Sequence, residues 1–258
     1  MSMTDPTQAR LDAIYRYPVK GLTAEPLSSV ELKPGETLPF DRAYAFENGP
    51  GPFDPNDPKH LPKMHFVMLM RNEQLAALSA SFDEATRELT LRHEGQQRTS
   101  GNVNSAEGRA TLEAAIADAV TTALRGPPRL VASPDHSFSD VAAKCVHVIN
   151  LESVRALEAA MDAKLDPLRF RPNLVIDGVQ SWSELEMVGK KLHIGNAVLE
   201  IFKRTERCAA TNVNPTTAQR DQKIPSFLSR TYGHTDFGVY ARVVEGGYIA
   251  KGDAVTIG

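Results

Sequence analysis

Lys191-Leu192-His193-Ile194-Gly195-Asn196-Ala197-Val198-Leu199-Glu200-Ile201-Phe202 reads as two short apolar strands reversing at a tight turn. Gly-Asn between runs rich in Leu, Ile and Val is a hairpin signal, because glycine supplies the positive φ such a turn needs. Downstream, Val239–Val244 and Tyr248–Ala250 flank Glu245-Gly246-Gly247, and the same logic predicts a second hairpin. Upstream, Asn173-Leu174-Val175-Ile176-Asp177 is mostly apolar and stops at Gly178. The first half continues in short strands: Ala13–Tyr17 before Pro18, Val30–Leu32 before Pro34-Gly35, Ala43–Phe46, Phe66–Met70 and Glu88–Leu91. Gly49–Pro62, dense in Gly, Pro and Asp, is predicted as a long loop, either a lid or a plain surface excursion.

Two helices interrupt the strands. Ser105 is placed to cap the first, with Leu112, Ile116, Ala119, Val120 and Ala123 in one apolar stripe ended by Gly126-Pro127-Pro128. Asn150 is placed to cap the second, where Val154, Leu157, Met161 and Leu165 recur at helical spacing. Both stripes read as core packing. Many short strands, glycine turns and few helices predict a mainly β, α+β chain built on a barrel-like core. The break near Pro127 divides it into 1–127 and 128–258.

Composition bounds the function. The chain has 258 residues, is 41% hydrophobic and carries a net charge of −3, so it can bury a core and offers no basic surplus for nucleic acid. A local basic pocket for a small anion stays compatible with that balance. Neither an apolar leader nor a membrane-length apolar run is visible, and two cysteines outside any CxxC pair suit a reducing compartment. The expectation is a soluble, cytoplasmic protein with no membrane or nucleic-acid partner.

Three segments could carry chemistry. Lys203-Arg204-Thr205-Glu206-Arg207-Cys208 surrounds a thiol with cations, which favours thiolate, the species that ligates soft metals and attacks electrophiles. A surface thiol among scattered charges is the alternative. Arg169-Phe170-Arg171-Pro172-Asn173 is read as extended, placing two guanidiniums on one side to grip a phosphate or carboxylate; paired surface ion pairs are the alternative. Tyr17-Pro18-Val19-Lys20-Gly21 and Asp41-Arg42 each put a cation at a turn. Cys145, within the strand-like Cys145–Ile149, is predicted to be a small buried thiol.

Tyr17-Pro18-Val19-Lys20, Phe40-Asp41-Arg42, Arg169–Asn173, Arg207-Cys208 with Thr211 and Asn214-Pro215, and Asp236–Tyr240 with Gly247–Ile249 and Gly252-Asp253 together resemble, in order, the MOSC family. That family includes the mitochondrial amidoxime-reducing component and the C-terminal domain of molybdenum cofactor sulfurase. The resemblance implies a MOSC β-barrel core preceded by a β-rich MOSC N-terminal domain. It also implies that the chain binds the molybdenum cofactor (molybdopterin). Cys208 would be the molybdenum ligand and catalytic centre. Lys20, Arg42, Arg171, Arg207, Ser153, Asn173 and Thr211 would hold the cofactor.

Departures from the family pattern are Gly21 where Ser is common, Phe40 where Gly precedes Asp-Arg, and Asn214 where Asp is usual. The implied activity is reduction of small N-hydroxylated or N-oxide substrates. The alternatives are sulfur transfer through a Cys208 persulfide and non-catalytic binding of the cofactor. Two cysteines cannot hold a four-thiolate iron–sulfur cluster, so a reductase here would need a separate electron-donor protein.

Overall fold

The computed structural model describes residues 9–93, 95–120 and 124–258. In chain order the strands are β1 (Arg10–Arg16), β2 (Glu25–Leu27), β3 (Ser29–Leu32), β4 (Tyr44–Glu47), β5 (Leu78–Phe82), β6 (Glu88–His93), β7 (Gln96–Asn102) and β8 (Arg129–Ala132). They continue as β9 (Val146–Asn150), β10 (Leu174–Asp177), β11 (Lys191–Ile194), β12 (Ala197–Glu206), β13 (Asp236–Glu245), β14 (Gly247–Ala250) and β15 (Val255–Ile257). The helices are α1 (Ala106–Ala119), α2 (Leu151–Met161) and α3 (Ile224–Tyr232). Strands dominate and the largest sheet curls into a half-barrel, the mainly β, α+β class expected from the sequence.

That sheet runs β15-β11-β12-β13-β9-β10-β1-β2. Gly195-Asn196 closes the β11–β12 hairpin, with Ile194 opposite Ala197 and Gly195 at φ +53°. Among the named strands of the described residues, β9 and β10 are the one parallel pair, and α2 is the crossover between them. Alternation sorts the strand residues by face. Val146, Val148, Leu199, Ile201, Val239 and Ala241 fill the inside of the curl. Ile149, Val175 and Phe237 face α2 and α3 on the other side. Both sequence-assigned caps form: Ser105 Oγ accepts from Gly108 N at 3.0 Å and Asn150 Oδ1 from Glu152 N at 3.1 Å. Leu112 and Ile116 are buried in the α1 stripe, while Ala123 lies outside the described residues.

Two strand expectations are corrected. Phe66–Met70 is not a strand. Phe66, Val67 and Met68 are buried consecutively rather than alternately, and Arg71 N closes a turn on the Met68 carbonyl. The Gly246-Gly247 dipeptide does not close a hairpin, because β14 leaves β13 and pairs with β3. The glycines are there for close approach: a Cβ on Gly247 would sit 2.4 Å from the Asn196 carbonyl oxygen, and one on Gly246 2.8 Å from that of Leu32.

The remaining layers hold the first half together. β5-β6-β7 packs on α1, and β4 pairs with β8. The Gly49–Pro62 segment is a loop, as expected, pinned by Phe53, whose ring lies 4.9 Å from that of Phe138. No helix among the described residues is long and apolar enough to cross a membrane.

Candidate functional site

A cleft of about 270 Å³ opens at the junction of the large sheet with the first-half loops, near the small end of ligand pockets. Its wall is strongly cationic. Lys20, Arg42, Lys63, Arg169, Arg171, Lys203 and Arg207 line it against only Asp41, Asp140 and Glu206. Lys20 and Arg42 arrive from turns after β1 and before β4. Arg171 and Asn173 come from the connection into β10, His147 and Tyr240 from facing positions on β9 and β13, and Cys208 from the end of β12.

The backbone makes the wall. After β12, Cys208 is extended at φ −120° and leads into a short 3-10 turn over Ala209–Asn212. Thr211 ties that turn back: its Oγ1 donates to the Cys208 carbonyl at 2.9 Å. Thr211 itself is buried and does not line the cleft, so it positions the thiol rather than touching a ligand. On the other wall, Asp166 caps a 3-10 turn over Pro167–Phe170, and Arg171 follows in the left-handed region at φ +51°. The expectation of an extended segment with two parallel guanidiniums is therefore corrected, since the Asp166-Pro167 cap starts a turn. Arg169 pairs with Asp221 at 2.7 Å, while Arg171 turns the other way and donates to the Leu22 carbonyl at 2.7 Å.

Tyr17 is completely buried, and the guanidinium carbons of Arg42 and Arg171 each lie 4.3 Å from its ring centre. The ring is thus clasped between two cations, a favourable use of its negative face. Arg42 pairs with Asp41 and donates to Asn173 Oδ1 at 3.2 Å. Asn173 also accepts from His147 N at 3.1 Å and donates to the Tyr15 carbonyl at 3.1 Å. Its polar atoms are committed to the scaffold.

Neither Arg171 nor Arg207 forms an ion pair among the described residues. Burial lowers the Arg171 guanidinium to about 10, and Arg42 pushes it the same way. Burial also lowers that of Arg207, although Cys208 interacts favourably with its charge. Arg207 donates to the Phe170 carbonyl at 2.6 Å and approaches His147 Nε2 at 3.4 Å, while its Nε is buried without a partner. His147 Nδ1 faces the Arg171 carbonyl at 3.2 Å, which assigns the ring proton there and leaves Nε2 to accept from Arg207. Burial, with Arg207 beside it, keeps this histidine neutral well below the usual imidazole range. Cations short of counter-charge are costly inside a protein, and an anion in the cleft would relieve that cost.

Of the residues the sequence nominated, the fold gathers Cys208, Lys20, Arg42, Arg171, Asn173 and Arg207 around one cleft and places Thr211 just behind the thiol. Ser153 goes elsewhere. It is fully buried at the start of α2, donating to Glu184 Oε2 at 2.8 Å and accepting from Trp182 N at 2.7 Å. Arg204 also turns away, donating to the Leu185 carbonyl at 2.7 Å, so Lys203 and Arg207 are the basic neighbours of Cys208 that reach the cleft. Asn214 sits in a turn outside it and donates to Asp221 at 2.8 Å.

His147, Tyr240, Lys63 and Asp140 went unnoticed in the sequence. The signal for His147 was the alternation Cys145-Val146-His147-Val148, whose valines face the core and whose other residues face the cleft. Cys145 is buried, as expected, and burial pushes its thiol up to about 12. Of the departures from the family pattern, one has a backbone reason and one runs against the backbone. Gly21 takes φ +86°, where a side chain is strained, and Phe40 holds φ +60° despite its ring.

No three His, Cys, Asp or Glu side chains among the described residues converge to hold a bare metal ion. A metal at Cys208 would have to bring further ligands with it. The donor set suits such a group: one thiol at the rim and an excess of cations along the wall for an anionic tail.

Comparison with known proteins gives the lineage. Bovine mitochondrial amidoxime reducing component 2 is 29% identical over 122 residues, covering 43% of this chain and 36% of that protein. Molybdenum cofactor sulfurase of Drosophila persimilis is 29% identical over 119 residues, covering 43% of this chain and 14% of that protein. The chain thus spans well under half the length of these curated relatives. The crystal structure of the YUAD protein from Bacillus subtilis aligns with 97% of this chain and 95% of its own, at 11% identity and a TM-score of 0.45. The MOSC N-terminal beta barrel domain matches residues 8–127 and the MOSC domain matches residues 133–256, so the chain belongs to the MOSC family.

Proposed function

We propose that the cleft binds the molybdenum cofactor, with Cys208 as the protein ligand to molybdenum, and that the protein reduces small N-hydroxylated or N-oxide substrates. The observation that carries this reading is a rim thiol beside two half-buried guanidiniums that form no ion pair among the described residues. Lys20, Arg42 and Arg171 would hold the terminal phosphate, since planar guanidiniums match its oxygens. Arg207, held by the Phe170 carbonyl and His147, would face the sulfur-bearing end of the group beside Cys208. Molybdenum, when bound, would supply the redox chemistry. Removing oxygen from an N-hydroxyl group consumes two electrons and two protons and releases water. The electrons would come from a separate donor protein. Met68, Leu69 and Met70 give the cleft an apolar wall against which a small substrate could rest.

Molybdenum content tests the reading. Expressed in a host that makes the cofactor, the protein should carry near-stoichiometric molybdenum, and Cys208→Ala should lose most of it. Metal-free protein in both cases, with pterin absent, would sink the proposal. The second reading, a Cys208 persulfide that delivers sulfur, is favoured by the similarity to a cofactor sulfurase. It predicts a mass gain of one sulfur atom on gently purified protein that disappears in Cys208→Ser.

A further inference from the structure

Asp140 occupies an unusual place. It sits on the irregular segment between β8 and β9, with half of its side chain exposed, and lines the cleft together with Lys20, Arg42, Lys63, Arg171 and Arg207. It forms an ion pair with Lys20, whose Nζ also donates to the Phe138 carbonyl at 2.9 Å. Its charge acts on Arg171 and Arg207 as well. Burial alone would raise this carboxyl, but Lys20, Lys63 and Arg42 outweigh it and hold it at about 2. The other two carboxylates of the wall do not compete for this position. Asp41 is tied to Arg42 and the Tyr17 amide, and Glu206 lies on exposed strand.

We propose that Asp140 is a built-in counter-anion that sets the charge of the ligand this cleft accepts: a dianionic phosphate monoester displaces its carboxylate from Lys20, and a monoanion does not. The reason is an exchange of charge. An incoming carboxylate would replace one negative charge with another and gain nothing for the ion pair it breaks. A phosphate monoester, with a second pKa near 6, brings nearly two charges and three acceptor oxygens. Arg171 and Arg207 then gain the counter-charge they lack. The segment bearing Asp140 has no regular secondary structure from Ser139 to Lys144, so the carboxylate can leave without unfolding a strand. The inference builds on the cleft as an anion site and is independent of the metal.

Phenyl phosphate and benzoate form a matched pair of probes at pH 8, sharing the ring and differing in charge. Calorimetry on the whole protein should show that phenyl phosphate binds and benzoate barely does. Asp140→Asn removes the ion pair that either anion must break, so benzoate affinity should rise by roughly tenfold and become measurable, with phenyl phosphate still the tighter ligand. Benzoate affinity unchanged within about twofold in the variant, or no phenyl phosphate binding by the parent protein, would overturn the proposal. Hydrogen exchange on the unmutated protein gives a second readout that does not depend on the variant folding. Phenyl phosphate should speed exchange across residues 139–144 while slowing it elsewhere around the cleft, and protection of that segment would mean that Asp140 stays in place. If benzoate affinity rises on removing Asp140 but the protein never acquires molybdenum, the functional reading fails and this inference stands.

Discussion

Phe40 shows how one residue can satisfy two opposed demands. Its φ of +60° costs a side-chain-bearing residue about 1 kcal/mol relative to glycine. Its ring lies 5.3 Å from that of Phe82 and 4.5 Å from the Arg87 guanidinium. Truncation removes those contacts whichever small residue follows, but only glycine also relaxes the backbone. Phe40→Ala is therefore expected to destabilise the protein by about 2–3 kcal/mol, and Phe40→Gly by about 1 kcal/mol less, reversing the usual order of these two substitutions. Urea midpoints at a common slope read the difference, and an alanine variant as stable as the glycine variant would refute the strain argument. The two cysteines make a second contrast. With a thiol raised to about 12 and almost no exposure, Cys145 has a negligible thiolate fraction at pH 8. Iodoacetamide on the folded protein should give one adduct, absent in Cys208→Ser, and a second only after unfolding. A double adduct on native protein would contradict the burial of Cys145. Cys208 and its cations were legible because they cluster within six residues of sequence. Asp140 was not, since nothing local distinguishes a cleft-facing loop position from a solvated one, and the alternation around His147 shows which residues leave the core without showing that they meet a cleft.

The same limit separates what could be read about helices and strands. Gly195-Asn196 and both helix caps act within a few residues, so their chemistry is written locally. The partner of β14 is β3, more than two hundred residues earlier, and no local pattern specifies it. The two caps also differ in what depends on them. Ser105 serves only α1, and Ser105→Ala should cost about 1 kcal/mol. Asn150 caps α2 and in addition donates from Nδ2 to the carbonyls of Val179 and Gln180 and to Glu184. Asn150→Ala removes these bonds together with the cap and takes its donor from the Val179 carbonyl, whereas Gln180 and Glu184 keep bonds from Ser183 and Ser153, so the expected loss is about 2–4 kcal/mol, at least twice that of Ser105→Ala. Glu184 provides a pH signature for this knot. Burial raises its carboxyl above the ordinary glutamate value, despite hydrogen bonds from Ser153 and Asn150. The folded state therefore holds its proton more tightly than the unfolded chain, and the stability from this group falls as pH rises from the ordinary glutamate value through the raised one. Glu184→Gln should be as stable as the parent or more so at pH 8, with the advantage shrinking toward pH 5. An advantage that grows as pH falls would have the wrong sign and would place the carboxylate in a favourable ionised setting.

The long-range pairings make one further demand, on the chain as a cooperative unit. β1, near the start, lies between β10 and β2 in the large sheet, and its Leu11 and Ile14 are buried in the core that fills the curl. β3 pairs with β14 near the other end, and Val30 and Leu32 join the same core. The cleft is split likewise, with Lys20 and Arg42 arriving from before Pro127 and Arg171, Arg207 and Cys208 from after it. A division at 127/128 would be a division of sequence homology more than of folding. Cut there, residues 128–258 would expose an unpaired edge on β10 and uncover part of the core. The full chain should unfold in a single transition, with Trp182 fluorescence and far-UV circular dichroism coinciding. The isolated 128–258 fragment should lack a cooperative transition. Two separated transitions, or a fragment that melts cooperatively, would show that the halves are independent folding units. An anion bound between cations from both halves can stabilise only the state in which both are folded, so phenyl phosphate should raise the single midpoint without splitting it. A ligand-induced shift confined to one probe would mean that the cleft is completed by one half alone.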